Sequence, residues 1–173
     1  MTPASIPAGV PRKPERRMVR RSMPEEQDMP ERTGGCLCGA VRFTAKSLSG
    51  FGVCHCEQCR RWAGSALFAV TVPAADMEIE GAEAIRAYRS SDWASRAFCG
   101  TCGSVLWYRY DKGVDDAGDY ELTIGLLDDA DGLTLEREIF SDQKPDCWAL
   151  TGDHPRMTRA ETLARYGAQV DGA

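Results

Sequence analysis

Asparagine is absent from all 173 residues, so the sequence contains no N-glycosylation acceptor. Lysine is scarce, four against 17 arginines, a bias that points to GC-rich coding and so to a bacterial source. No apolar run approaches the roughly 18 residues of a membrane span; the best stretch is Ala66 to Val70. No apolar segment follows Arg20-Arg21 either, so that pair does not read as a twin-arginine signal, and the expected location is cytoplasmic. Excess positive charge is also missing: the net charge is −5, which argues against a nucleic-acid partner. No repeat of about 20 to 50 residues is visible. What is there is an ordinary globular composition, 43% hydrophobic and 27% charged, at the length of one domain. Such a chain can bury a core without needing metals or disulfides on account of small size.

Residues 1 to 33 hold six of the nine prolines, seven basic and five acidic residues, and no aromatic. Such a segment cannot bury enough apolar surface to offset its ordering entropy. Residues 1–32 are therefore read as a disordered basic, proline-rich tail, 33–150 as the folded domain and 151–173 as a C-terminal extension. The body reads as mainly β, built of short antiparallel strands. Candidate strands are Val41 to Phe43, Ala66 to Val72, Ile85 to Arg89, Val105 to Tyr110, Tyr120 to Leu126 and Glu136 to Phe140. In the second, Ala66, Phe68, Val70 and Val72 alternate with Leu67, Ala69 and Thr71; in the fifth, Tyr120, Leu122, Ile124 and Leu126 share a face. The acidic stretch Asp111 to Asp119 reads as an exposed loop. A helical turn is predicted over Glu57 to Ala63. A terminal helix is predicted over Thr158 to Tyr166, with Thr158 as N-cap and Glu161 three residues on.

Seven of the eight cysteines are clustered: Cys36-x-Cys38, Cys54-x-Cys56-x-x-Cys59 and Cys99-x-x-Cys102. In a reducing compartment such clusters are metal ligands or catalytic groups more often than disulfides. Thiolates and tight glycine-flanked knuckles suit zinc. Seven ligands divide into four plus three. Two distant pairs, Cys36/Cys38 and Cys99/Cys102, would make a closed four-cysteine site that clips an early segment to a late one. The trio Cys54, Cys56 and Cys59 would hold a second ion with one position open, the arrangement of a catalytic zinc. Spacing alone leaves alternatives. His55, Cys147 or His154 could complete the trio. Cys99 and Cys102 could form a redox dithiol, although the βαβ context is missing. An iron–sulfur cluster fits neither common ferredoxin spacing.

Three ordered stretches resemble a known family: Gly34 to Phe43 around Cys36 and Cys38, Cys54 to Gly64, and Arg96 to Ser104 around Cys99 and Cys102. Over about residues 33 to 150 the chain is similar to the glutathione-dependent formaldehyde-activating enzymes, which share a domain with centromere protein V. The resemblance implies a β-rich, tent-like fold with two zinc ions. It implies that Cys36, Cys38, Cys99 and Cys102 bind the structural ion, and that Cys54, Cys56 and Cys59 bind the catalytic one. The implied activity is that of a carbon–sulfur lyase handling a thiol–aldehyde adduct such as S-hydroxymethylglutathione, with glutathione as the small-molecule partner. One departure stands out. The family often has a histidine near the late strand, where this chain has Glu138, followed by Phe140 and the more distant Trp148. If that histidine handles substrate, this chain is expected to use another substrate, or none.

Three thiolates bring −3 to a +2 ion, so such a site handles thiolates better than it activates carbonyls, and nearby cations must offset the charge. Arg60, Arg61 and Arg96 are the candidates, and they could also meet glutathione carboxylates. His55 is expected to be a hydrogen-bonded structural residue that points away from the ligands beside it. Asp92 and Trp93 could border the site, and His154 has no assigned role. A non-enzymatic zinc module for a protein partner is the alternative reading, and a metal or thiol-stress buffer the third. A pocket beside Cys56 would favour the enzyme; an exposed apolar patch of more than a few hundred Å² would favour the binding module.

Overall fold

The structure, a computed structural model, describes residues 31–46, 48–110 and 118–167. Most of the proline-rich tail and of the acidic loop predicted from Asp111 lies outside these residues. Arg32, at the tail's edge, is already in the first strand.

Among the described residues, eleven strands form two sheets. The small sheet has the order β1 (Arg32–Gly35), β2 (Arg42–Ala45), β5 (Met77–Glu80), antiparallel throughout. The large sheet begins at one edge with β11 (Arg156–Met157), β10 (Thr134–Ile139), β3 (Gly50–Cys54) and β4 (Leu67–Val72). It continues through β9 (Tyr120–Thr123), β8 (Val105–Tyr110), β7 (Ala94–Cys99) and β6 (Ile85–Ser91). Two helices, α1 (Glu57–Ala63) and α2 (Arg159–Tyr166), complete the described fold. The mainly β expectation holds, and α1 runs over the predicted residues. Helix α2 starts at the predicted capping box, in which Thr158 Oγ1 accepts from the Glu161 amide and the Glu161 carboxylate accepts from the Thr158 amide.

Strand β4 shows how the sequence covers both faces of the large sheet. Side chains alternate across a strand. Val70 and Val72 enter one core with Leu122, Trp107 and Ala97 of the large sheet and Phe43, Ala45 and Met77 of the small sheet. Leu67 and Ala69 point the other way, into a second cluster with Cys56, Cys59 and Phe140. The main core thus lies between the sheets, and the second cluster lies on the outer face of the large one.

Three expectations need correction. The strand predicted to run to Leu126 stops at Thr123, and Ile124–Leu126 form a 3-10 turn. The turn lets Leu127 bridge to Gly34 while Ile124 and Leu126 still pack on the core. The strands are not all antiparallel: β10 runs parallel to both β3 and β11. A parallel neighbour requires a long crossover, and here the crossover carries most of the domain. Finally, residues of the C-terminal extension belong to the sheet, because β11 is its edge strand.

Leu122 is fully buried where the two sheets meet. Leu122→Ala is expected to lose about 2–5 kcal/mol of stability, the usual cost of a core leucine truncation. Tyr88→Ala, at an exposed position, should stay within about 0.5 kcal/mol. Urea melts at fixed zinc concentration compare the two.

Candidate metal centres and the adjoining pocket

The four-cysteine cluster is assembled from two similar knuckles. Cys36 follows β1, and its amide bonds to the Val41 carbonyl across the turn into β2 at 3.0 Å. Cys99 ends β7, and its amide bonds to the Ser104 carbonyl across the turn into β8 at 2.9 Å. Behind the second cysteine of each knuckle stands a glycine, Gly39 or Gly103, both at φ +77°, a conformation that disfavours any Cβ. The four Sγ atoms lie within 4.8 Å of one another. Cys36 and Cys38 are 3.5 Å apart, and Cys38 and Cys99 are 3.8 Å apart. Tetrahedral zinc with Zn–S bonds of about 2.3 Å needs sulfurs roughly 3.8 Å apart, so the donor set fits that ion. The Ser104 hydroxyl, 3.2 Å from Cys102 Sγ, holds that thiol down to about 5.

The second group is Cys54, Cys56 and Cys59, again within 4.8 Å of one another. Cys54 ends β3, Cys56 is the N-cap of α1, and Cys59 sits one turn into the helix. Cys56 Sγ accepts from the Cys59 amide at 3.4 Å, so the helix start itself points two sulfurs at one place. Hydrogen bonds from Cys54 and Cys59 hold Cys56 down to about 3. Cys54 also pulls Cys59 down, but Cys56 and burial outweigh it and push Cys59 up to about 12. Three thiols thus compete for charge, a competition that a bound dication relieves by displacing protons. Neither His55, Cys147 nor His154 joins the group among the described residues. All eight cysteines are free thiols. The grouping is therefore four plus three, with Cys36/Cys38 opposite Cys99/Cys102.

A pocket of about 210 Å³ opens over the trio, with Cys54, Cys56 and Cys59 in its wall. The sheet register builds its far side. Thr71, Glu121, Tyr108 and Arg96 are successive cross-strand neighbours on β4, β9, β8 and β7. Phe140, at φ +54°, and Tyr166 of α2 close other parts of the wall. Arg96 is 5% exposed. Its guanidinium lies 5.6 Å from the Trp62 ring and 5.2 Å from the Tyr108 ring, and a terminal nitrogen reaches Cys59 Sγ at 4.0 Å. Burial pushes the Tyr108 and Tyr110 phenols up, so both hydroxyls stay protonated. Burial likewise raises the Glu121 carboxyl, although the Thr71 hydroxyl pulls it back.

With the geometry in place, comparison with known proteins is decisive. Residues 31–143 match the family model of the glutathione-dependent formaldehyde-activating enzymes. The chain belongs to that family. It is 33% identical over 139 residues to an uncharacterized lyase of Schizosaccharomyces pombe, a match covering 78% of this chain and 96% of the relative. It is also 35% identical over 83 residues, 43% of this chain and 53% of the relative, to a Halomonas elongata protein provisionally named a glutathione-dependent formaldehyde-activating enzyme. A crystal structure of a Rhodobacter sphaeroides protein superposes with a TM-score of 0.47 at 22% identity, covering 72% of this chain and 98% of that one.

Of the three arginines expected beside the trio, only Arg96 is there. Arg61 pairs with Glu57 at the surface, and the Arg60 guanidinium donates to the His55 carbonyl at 2.9 Å. Both line a separate depression next to Trp148. Trp93 and Ser91 reach the pocket, but Asp92 does not line it. Glu138 does not line it either; its neighbours Arg137 and Ile139 do, because alternate residues of β10 face opposite sides. Tyr108, Tyr110, Glu121, Arg137 and Tyr166 were not anticipated. For the first four the signal that could have found them is parity, since residues two apart on a strand share a face; Tyr166, on α2, carries no such signal.

Zinc-loaded wild-type protein is expected to carry two ions per chain, and Cys56→Ser one, with the β-rich circular dichroism spectrum kept. Elemental mass spectrometry on protein purified without chelators measures both.

Proposed function

We propose that this protein is a lyase-type enzyme that makes and breaks the carbon–sulfur bond of a thiol–aldehyde adduct such as S-hydroxymethylglutathione, at the pocket over Cys54, Cys56 and Cys59. The observation that carries the reading is a three-thiol group with no fourth protein ligand among the described residues, set in the wall of a pocket of about 210 Å³. Family membership and the names of the relatives support the lyase class. Glutathione comes from the family's description and is the expected thiol partner.

In the forward direction the thiol sulfur bonds to the formaldehyde carbon, the C=O π pair moves to oxygen, and the thiol proton ends on that oxygen. Cys54, Cys56 and Cys59 would bind a zinc ion, which supplies an electrophilic site able to favour the thiolate form of the incoming thiol. Arg96 sets the local charge. A dication held by three thiolates would carry a net −1, which the buried guanidinium offsets. The guanidinium lies within cation–π range of both the Trp62 and the Tyr108 rings. The Tyr108 and Tyr110 hydroxyls are hydrogen-bonded to each other, which leaves the pair one O–H to donate to the adduct oxygen. The aromatic and aliphatic side chains in the wall lower the local dielectric constant, which strengthens each of these interactions.

The binding-module alternative finds less support. Leu37 and Tyr88 are the only large hydrophobic side chains exposed among the described residues; they are single side chains, not a contiguous patch.

Zinc-loaded protein mixed with glutathione and formaldehyde is expected to accelerate adduct exchange, read by NMR line shape against the uncatalysed rate. Cys56→Ser should lose roughly 10²-fold or more, and Arg96→Met a smaller but clear part, the order seen when a charge-stabilising group is removed. No acceleration by the loaded wild type, with glutathione or with small thiols, would overturn the reading.

A further inference from the structure

We propose that Glu138 is a positioning residue for the three-cysteine site, its buried carboxylate tying the Cys54–His55–Cys56 segment to the C-terminal strand so that the sulfurs are held ready for a metal ion. The inference rests on the trio being a metal site, not on any catalytic activity.

Glu138 is 1% exposed, and a carboxylate in such a place is costly unless donors surround it. Three do. His55 Nε2 lies 2.7 Å from one oxygen; His154 Nε2 and Arg156 Nε lie 2.6 and 2.9 Å from the other. Arg156 balances the charge. With an ionised carboxylate as acceptor, each imidazole presents its Nε2–H, which fixes both tautomers. Among the described residues His55 Nδ1 is buried without a partner, and Glu138 provides the only hydrogen bond to that ring. The ring is further covered by Trp148, 5.2 Å away between centroids.

His55 links two of the three sulfur-bearing residues, so fixing its ring and backbone fixes the segment that carries them. Its amide donates to the Ile139 carbonyl at 3.0 Å, and its carbonyl accepts from Arg60 at 2.9 Å. One end of the clamp is therefore the metal loop and the other is β11. Partners of this outer kind orient ligands, and losing one typically weakens metal binding by about 10–100-fold. The four-cysteine cluster shares none of these contacts. The sequence made a change of substrate conditional on the replaced histidine handling substrate; Glu138 does not line the pocket, and its contacts lie in the support beneath the site.

The test is zinc release from the fully loaded protein into excess chelator. Cys56→Ser, which keeps only the four-cysteine site, assigns the two kinetic phases. Glu138→Gln is expected to speed release from the three-cysteine site by about 10–100-fold and to leave the four-cysteine phase unchanged. His154→Gln removes an imidazole donor from the far side of the carboxylate and should act in the same direction; it carries the test if Glu138→Gln fails to fold. In cobalt-substituted protein, Glu138→Gln should also shift the thiolate-to-metal charge-transfer band, which general loosening of the fold would not move. Unchanged release from the three-cysteine site, or equal acceleration at both sites, would overturn the proposal. Neither result depends on turnover, so an inactive wild-type protein would overturn the functional reading while leaving this one standing.

Discussion

The meeting of two cysteine knuckles is the constraint on which the rest of the structure depends. Cys38 and Cys99 are 61 residues apart in the chain, yet their sulfurs lie 3.8 Å apart. One knuckle joins strands of the small sheet, and the other joins strands of the large one. Clipping them together closes the space that Phe43, Met77, Val70, Leu122 and Trp107 fill. A structural zinc contributes an apparent ~10–16 kcal/mol in small zinc-binding peptides, against a net stability of about 5–15 kcal/mol for a typical domain. A zinc ion bound by the four thiols would thus contribute as much as the whole net stability of a typical domain.

The outer face of the large sheet shows how a fold that is apolar on both sides makes room for chemistry. Small residues, Gly52 and Ala69, are paired at the centre of the pocket floor. Larger side chains rise around them on neighbouring strands. Charge is admitted only with a partner. The trio's negative charge meets Arg96, Glu121 meets the Thr71 hydroxyl, and Glu138, on the opposite side of β10, meets two imidazoles and a guanidinium. In a medium of low dielectric constant an unpaired charge is expensive, so these pairings constrain where each strand can lie as strongly as the apolar contacts do.

Much of this was legible in the sequence, and the legible parts share a feature. The knuckles, helix α1 over Glu57–Ala63, the capping box at Thr158 and strand β8 all depend on residues within a few positions of each other. Ligands two or three apart on a tight turn reach one ion whatever the rest of the chain does. The division into four plus three could therefore be reached from counting. The burial of Arg96 was not foreseen, because an arginine in a strand reads as surface until the Trp62 and Tyr108 rings that cover it are known. The end of β9 was missed because Gly125 and the bridge from Leu127 to Gly34 matter more there than the alternation of Tyr120, Leu122, Ile124 and Leu126.

By itself, then, the sequence determined the four-plus-three grouping of the cysteines, the mainly β class and the helix boundaries, since each follows from local spacing, alternation or capping. Which side of β10 carries Glu138, the parallel pairing of β10 with β3, and the convergence of His55, His154 and Arg156 on one carboxylate were decided only by the tertiary structure. The reason is physical. Those features are set by cross-strand register and by contacts between segments more than 80 residues apart, such as His55 and Glu138, and a one-residue slip in register would reverse which face every side chain meets.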